Sequence, residues 1–270
     1  MRYFFHISYY GRNFNGWQKH PKAYSVQAVL EEKISQVFKT PIGIIGCGRT
    51  DAQVHAIQYF FHCDLPENWD FDLIFRLNKL LPSSIVVHEI IPVHAKSHAR
   101  FDAVLRSYDY FIHSPKDAFL SQISTHYEFK DLDFEEMAKA LALFVRYEDF
   151  RNFCVSPDKN EHTRCKIKEV KLFVNERGTQ IRFYIAGNRF LTKMIRITMW
   201  RLLQVGEGKM SLETFEKYFK DLDNQPLISF AKPEGLYLSG VFYRELKRPI
   251  ASDLALFDPS LWKEVVSYSI

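Results

Sequence analysis

Apolar and polar positions alternate at the start of the chain. Tyr3, Phe5, Ile7 and Tyr9 share one face of a strand, and Arg2, His6 and Ser8 the other. A loop over residues 11–24 follows. Ser25 then offers an N-cap to a helix in which Val26, Leu30, Ile34 and Val37 recur at helical spacing, and Pro41 stops it. Short strands at about 42–46 and 55–63 flank a glycine-containing loop. Leu73, Ile74, Leu77 and Leu81 predict a second helix, and the β-rich run from about 85 to 93 a further strand. The order is β-α-β-β-α-β.

The same order returns downstream. Residues 106–113 alternate as a strand, with Tyr108, Tyr110 and Ile112 on one face. Asp133 and Glu136 have capping-box spacing ahead of Met137, Leu141 and Phe144. Strands are expected at about 167–175 and 179–186, joined by Glu176, Arg177 and Gly178. A long helix is expected over about 189–204, with Leu191, Ile195, Met199 and Leu202 on its apolar side and Arg189, Lys193 and Arg196 opposite. A shorter helix begins near Ser211, and a strand covers about 236–244.

Two split βαβ sets predict an internally duplicated α+β fold of two ferredoxin-like halves. The expectation is one extended antiparallel or mixed sheet, with helices on one side and a central cleft. The boundaries drawn are 1–104 for the N-terminal half, 105–247 for the C-terminal half and 248–270 for a short helical or irregular tail after Pro249.

Composition changes this picture little. Of 270 residues, 47% are hydrophobic and 25% charged, as in ordinary soluble domains. The net charge of +4 permits a polyanionic partner without requiring one. Cys47, Cys63, Cys154 and Cys165 lack the close pairing of a zinc site, so no metal is expected and free thiols in a reducing cytoplasm are. No run is long enough to span a bilayer, and the N-terminus lacks an apolar signal core, so a cytoplasmic protein with no membrane partner is expected.

The stretch Gly46-Cys47-Gly48-Arg49-Thr50-Asp51-Ala52-Gln53-Val54-His55-Ala56 lies between two expected strands. From spacing alone, Asp51 also suits a turn cap and Arg49 a surface ion pair. Trp17 with Arg12, Lys19 and Lys22 forms an aromatic-basic loop, compatible with RNA binding or with an ordinary surface loop. His55 beside the motif reads as structural rather than as a general base.

The segment resembles the GRTDAGVHA active-site motif of the TruA family of tRNA pseudouridine synthases. Other matches follow in family order. Gly16-Trp17-Gln18 and Ser25-Val26-Gln27 resemble its GWQ and SVQ elements, and Asn78 with Leu81-Pro82 its N-x-x-LP element. Ala99-Arg100-Phe101 with Arg106, Tyr108 and Tyr110 resembles ARF…R-x-Y-x-Y. Phe190-Leu191, Met194, Ile195 and Arg196 resemble F-[LV]-x-x-M-[VI]-R, and Glu234-Gly235-Leu236-Tyr237-Leu238 resembles EGLYL.

The resemblance implies a pseudouridine synthase fold and an isomerase that needs no cofactor. It implies tRNA as substrate, at uridines thirty-eight to forty of the anticodon arm in tRNA convention, and a homodimer. It implies Asp51 as catalytic carboxylate, Arg49 as an arginine ordering the site, Tyr108 as the ring stacked on the target base, and Arg196 as the partner of the carboxylate. Trp17, Gln18, Arg100, Arg189, Lys193 and Leu238 are the expected substrate-binding residues, Leu238 as part of an apolar wall. These residue types suit the chemistry. A carboxylate serves as nucleophile or base, a guanidinium keeps it ionised, and an aromatic face holds an extruded base.

The chain departs from the family pattern at Gln53, which replaces a glycine, and at Tyr10, which replaces an aspartate. Ser107 and Asp109 stand where basic residues are common, and Ile197 and Trp200 replace a polar residue and a glycine. These departures motivate two alternatives: the same chemistry on other RNA positions, or a non-catalytic RNA-binding paralogue.

Overall fold

The computed structural model describes residues 1–223, 227–246, 248 and 253–270. In chain order its elements are β1 (Arg2–Tyr9), α1 (Val26–Phe38), β2 (Ile45–Gly46), β3 (His55–Asp64), α2 (Leu73–Leu80) and β4 (Ile85–Pro92). There follow β5 (Ala103–His113), β6 (Thr125–His126), α3 (Phe134–Arg146), β7 (Ile167–Val174) and β8 (Gln180–Gly187). The last are α4 (Met194–Gly206), α5 (Leu212–Lys220), β9 (Leu236–Tyr243) and β10 (Lys263–Ser269). The fold is α+β with mixed strand pairing.

The chain forms two compact units, and they are not sequential halves. Met1–Arg106 groups with Tyr237–Ser252, and Ser107–Leu236 with Asp253–Ile270. In the first unit the strand order is β9-β3-β1-β4, with β2 on β3. β1 runs antiparallel to both β3 and β4, whereas β9 pairs parallel with β3 through His55 opposite Tyr237 and Ala56 opposite Leu238. Tyr3, Phe5, Ile7 and Tyr9 are all buried on one face of β1, alongside the buried residues Val26, Leu30 and Ile34 of α1 and Leu73 and Leu77 of α2. Both helices start where their side-chain caps allow. The Ser25 hydroxyl accepts from the Ala28 amide, and the Asp72 carboxylate from the Phe75 amide at 2.9 Å.

The second unit has the strand order β10-β7-β8-β5, with β6 parallel to β5. Its abundant phenylalanines are explained by one aromatic core. Phe144 of α3 and Phe215 and Phe219 of α5 pack with Phe150 and Phe153 of the connection between α3 and β7. The Asp133 carboxylate caps α3 by accepting from the Glu136 amide.

Three expectations change. The tail is helical only in part: after short 3-10 turns at Ala255–Phe257 and Pro259–Leu261, β10 pairs antiparallel with β7, from Lys263 opposite Val174 to Ser269 opposite Glu169. Pro249, taken as the start of that tail, lies outside the described residues. The long helix starts at Met194 rather than near residue 189, because Lys193 takes a left-handed backbone (φ 61°) at its N-cap. Arg189 and Lys193 therefore precede α4 instead of forming a basic stripe along it. α4 also lacks a polar face over its middle: Arg196, Thr198 and Arg201 are buried along with its apolar residues. Among the described residues no helix is long and apolar enough to cross a membrane.

Candidate active site

In the first unit the segment from Cys47 to Val54 is held on both sides. The Cys47 amide donates to the Phe60 carbonyl at 2.8 Å, the Tyr59 hydroxyl to the Gly48 carbonyl at 2.6 Å, and Arg106 Nη2 to the Cys47 carbonyl at 2.8 Å. The loop before α1 locks the other flank. The Trp17 amide donates to the Thr50 carbonyl, the Gln53 amide to the Phe14 carbonyl at 3.0 Å, and the Gly11 amide to His55 Nδ1 at 3.0 Å. The hydroxyls of Tyr9 and Thr50 share a buried hydrogen bond of 2.8 Å. Asp51 sits half-buried at the head of this scaffold, and its own carbonyl accepts from the Val54 amide to close the turn.

Arg49 is exposed and aimed by a relay of amides. Its Nε donates to Gln18 Oε1 at 3.1 Å, Gln18 Nε2 donates to Gln27 Oε1, and Gln27 Nε2 donates to the Ile44 carbonyl. The GWQ, SVQ and GRTD elements are thus one hydrogen-bonded structure, and Gln18 acts on the arginine. Trp17, expected at a substrate surface, is only 2% exposed. Its ring stacks on Tyr59 at 4.0 Å between centroids, beneath the loop, so neither face is open to a base. Leu238 is buried beside Ala56 in β9.

His55 packs beneath the loop. It is buried, its Nδ1 accepts a hydrogen bond from the Gly11 amide, and it lies between the rings of Tyr10 and Tyr237 at 4.7 and 4.6 Å. Tyr10, in place of an acidic residue, thereby packs the base of the loop. Cys47 is no nucleophile, since burial pushes its thiol up to about 11.

Gln53 adopts φ 66°, the left-handed region that a glycine enters freely. A side chain there costs about 1–2 kcal/mol, partly offset by the ~0.5–1 kcal/mol by which glycine loosens the unfolded chain. Gln53→Gly is therefore expected to raise stability in urea by about 0.5 kcal/mol, and Gln53→Val to lower it by more than about 1 kcal/mol. A Gln53→Val variant as stable as wild type would contradict this reading.

In the second unit Tyr108 is half-buried on β5, with its ring edge-on to Phe190 at 5.1 Å. Arg196, 6% exposed, donates from Nε to the Ala231 carbonyl at 2.7 Å, and the Ala231 amide returns a bond to the Arg196 carbonyl. Phe230, which carried no signal in the sequence, receives two cations on its ring: Lys193 Nζ at 4.0 Å and the Arg196 guanidinium at 4.7 Å. Arg189 lies against His162. Asp109, odd by charge, is buried and paired with Arg182 at 2.7 Å. Arg100, in the first unit, is exposed.

A model of the tRNA pseudouridine synthase family matches residues 140–244. The chain is also similar to curated proteins named tRNA pseudouridine synthase A. The protein from Porphyromonas gingivalis is 39% identical over 245 residues, covering 90% of this chain and 97% of that one. The protein from Parabacteroides distasonis is 35% identical over 252 residues, covering 92% and 98%. The protein from Exiguobacterium sibiricum is 34% identical over 245 residues, covering 90% and 97%. With end-to-end likeness of this kind added to the ordered loop around Asp51, the chain belongs to the TruA family of tRNA pseudouridine synthases.

Proposed function

We infer that this protein isomerises uridine to pseudouridine in tRNA, with Asp51 as the catalytic carboxylate. The observation that carries the inference is the loop itself. A carboxylate stands half-buried on a turn whose backbone is fixed from both flanks, and an oriented guanidinium, that of Arg49, lies two residues away in the chain. Such fixed geometry is what positioning a reacting group requires. The resemblance assigns Tyr108 to stack on the target base and Arg196 to pair with the carboxylate.

The reaction is a rearrangement. The bond between C1′ and N1 breaks, the uracil turns, and a C1′–C5 bond forms. N1 gains a proton and C5 loses one, so no electrons are exchanged and no cofactor is consumed. A carboxylate at residue 51 suits either attack on C1′ or removal of the C2′ proton. We place the target uridines at thirty-eight to forty, the enzyme in the cytoplasm and its working form as a homodimer, in line with the resemblance. The test is tritium release from tRNA labelled at uracil C5, with the modified positions mapped. Release confined to the anticodon arm is expected. Release only from other positions would overturn the substrate assignment, and tRNA binding without release would favour a non-catalytic paralogue.

A further inference from the structure

Phe101 is an exposed aromatic of the first unit with a built support. Three quarters of it is open to solvent (75%), in a residue type that is usually buried. One face stacks on the His98 imidazole at 4.2 Å and 28°, and the Arg100 guanidinium lies 5.9 Å from the ring centroid. His98 in turn packs edge-on against His62.

The loop carrying it is fixed almost atom by atom. His98 Nδ1 accepts from the amides of Arg100 and Phe101, and the Asp102 carboxylate accepts from the His98 amide at 2.7 Å. His62 Nδ1 accepts from the Ala99 amide, and burial lowers this imidazole to about 4, so it stays a neutral acceptor near pH 7. The Tyr243 hydroxyl donates to the Ala99 carbonyl at 2.7 Å. Arg106 Nη2 donates to the Arg100 carbonyl at 2.8 Å and, at the same distance, to the Cys47 carbonyl of the Asp51 loop. One guanidinium therefore fixes both loops.

A single exposed apolar residue needs no explanation by itself. A rigid ring backed by an imidazole and flanked by a cation is different, because this is the construction that receives an unpaired nucleobase. We propose that Phe101 is a base-stacking platform for an unpaired nucleotide of the RNA substrate, held in fixed relation to the Asp51 loop by Arg106. The proposal rests on the isomerase reading above. It adds a subsite to it: the open face of Phe101 takes one base of the same RNA, and Arg100 lies against the adjoining backbone phosphate.

The test compares Phe101→Ala, Phe101→Leu and Phe101→Tyr in tritium release from C5-labelled tRNA, resolved into KM and kcat. Loss of one stacked base raises KM roughly 5- to 150-fold. Phe101→Ala is expected to show this with kcat little changed. Phe101→Leu, which keeps apolar bulk without a π-face, should behave like Ala, and Phe101→Tyr should stay within about threefold of wild type. An unchanged KM in Phe101→Ala overturns the proposal, as does wild-type behaviour of Phe101→Leu. A change in sedimentation of Phe101→Ala without a change in KM also overturns it, since the ring would then serve contact between protein copies. No release from tRNA by the wild-type protein instead sinks the isomerase reading itself.

Discussion

Asp51→Asn is expected to lower tritium release from C5-labelled tRNA by roughly 1,000-fold or more, with tRNA affinity and melting temperature near wild type. Asparagine keeps the volume and hydrogen-bonding reach of the side chain and suits the same turns, so the loop has no reason to move. The backbone bonds that set the turn survive the change: Val54 amide to Asp51 carbonyl, Trp17 amide to Thr50 carbonyl, and Gln53 amide to Phe14 carbonyl. What disappears is the negative charge, which is required for either nucleophilic attack or proton abstraction. Residual activity within tenfold of wild type would return Asp51 to the role of a turn residue. A fall in tRNA affinity with unchanged turnover of bound substrate would assign it to RNA docking.

Much of this fold is legible in the chain because its signals are local. Ser25, Asp133 and Ser211 each precede an apolar period and each caps a helix in the structure. β1 declares itself by alternation, and all four residues of its apolar face are buried. What is lost is set by partners far away in sequence. Trp17 stands among Lys19, Lys22 and Arg12 and reads as an RNA-facing ring, but Tyr59 and Tyr9, from β3 and β1, enclose it. β10 is half-exposed and short of apolar residues, so only its pairing with β7 reveals it. Arg196 reads as one of three cations on a polar helix face. The left-handed turn at Lys193 separates Arg189 and Lys193 from the helix, and burial of the helix middle removes the face.

The site shows the same division. Asp51 and Arg49 are found by their motif, whereas the relay that aims Arg49 joins residues 18, 27 and 44 and has no local signature. Gln53 and Tyr10 look like defects in the pattern. In the structure one occupies a strained turn and the other packs beneath it on His55. Neither removes a group from the loop that carries Asp51.

Gly16→Ala probes that loop from beneath, and it is expected to cost about 2–5 kcal/mol of stability and at least about 100-fold in kcat. Gly16 holds φ 81°, where a side chain is strained before any neighbour is considered. An added Cβ would meet the Thr50 carbonyl oxygen at 2.4 Å, the Asp51 carbonyl carbon at 3.0 Å and the Ala52 nitrogen at 3.2 Å. These are backbone atoms with no rotamer to yield, and they belong to Asp51 and its two neighbours. The Gly16 carbonyl is itself tied to the Val26 amide at the start of α1, and the Trp17 amide to Thr50, so the glycine cannot retreat without breaking those bonds. Relief must come from displacing residues 50–52, and a shift of about 1 Å in a reacting group is enough for the kinetic loss. Gly43→Ala is the matched control. It has no positive φ and nothing within 4 Å of an added Cβ, and it should leave stability within about 0.5 kcal/mol and activity unchanged. Urea unfolding and tritium release read both variants. A Gly16→Ala protein as stable and as active as Gly43→Ala would show that the catalytic loop does not depend on this backbone contact.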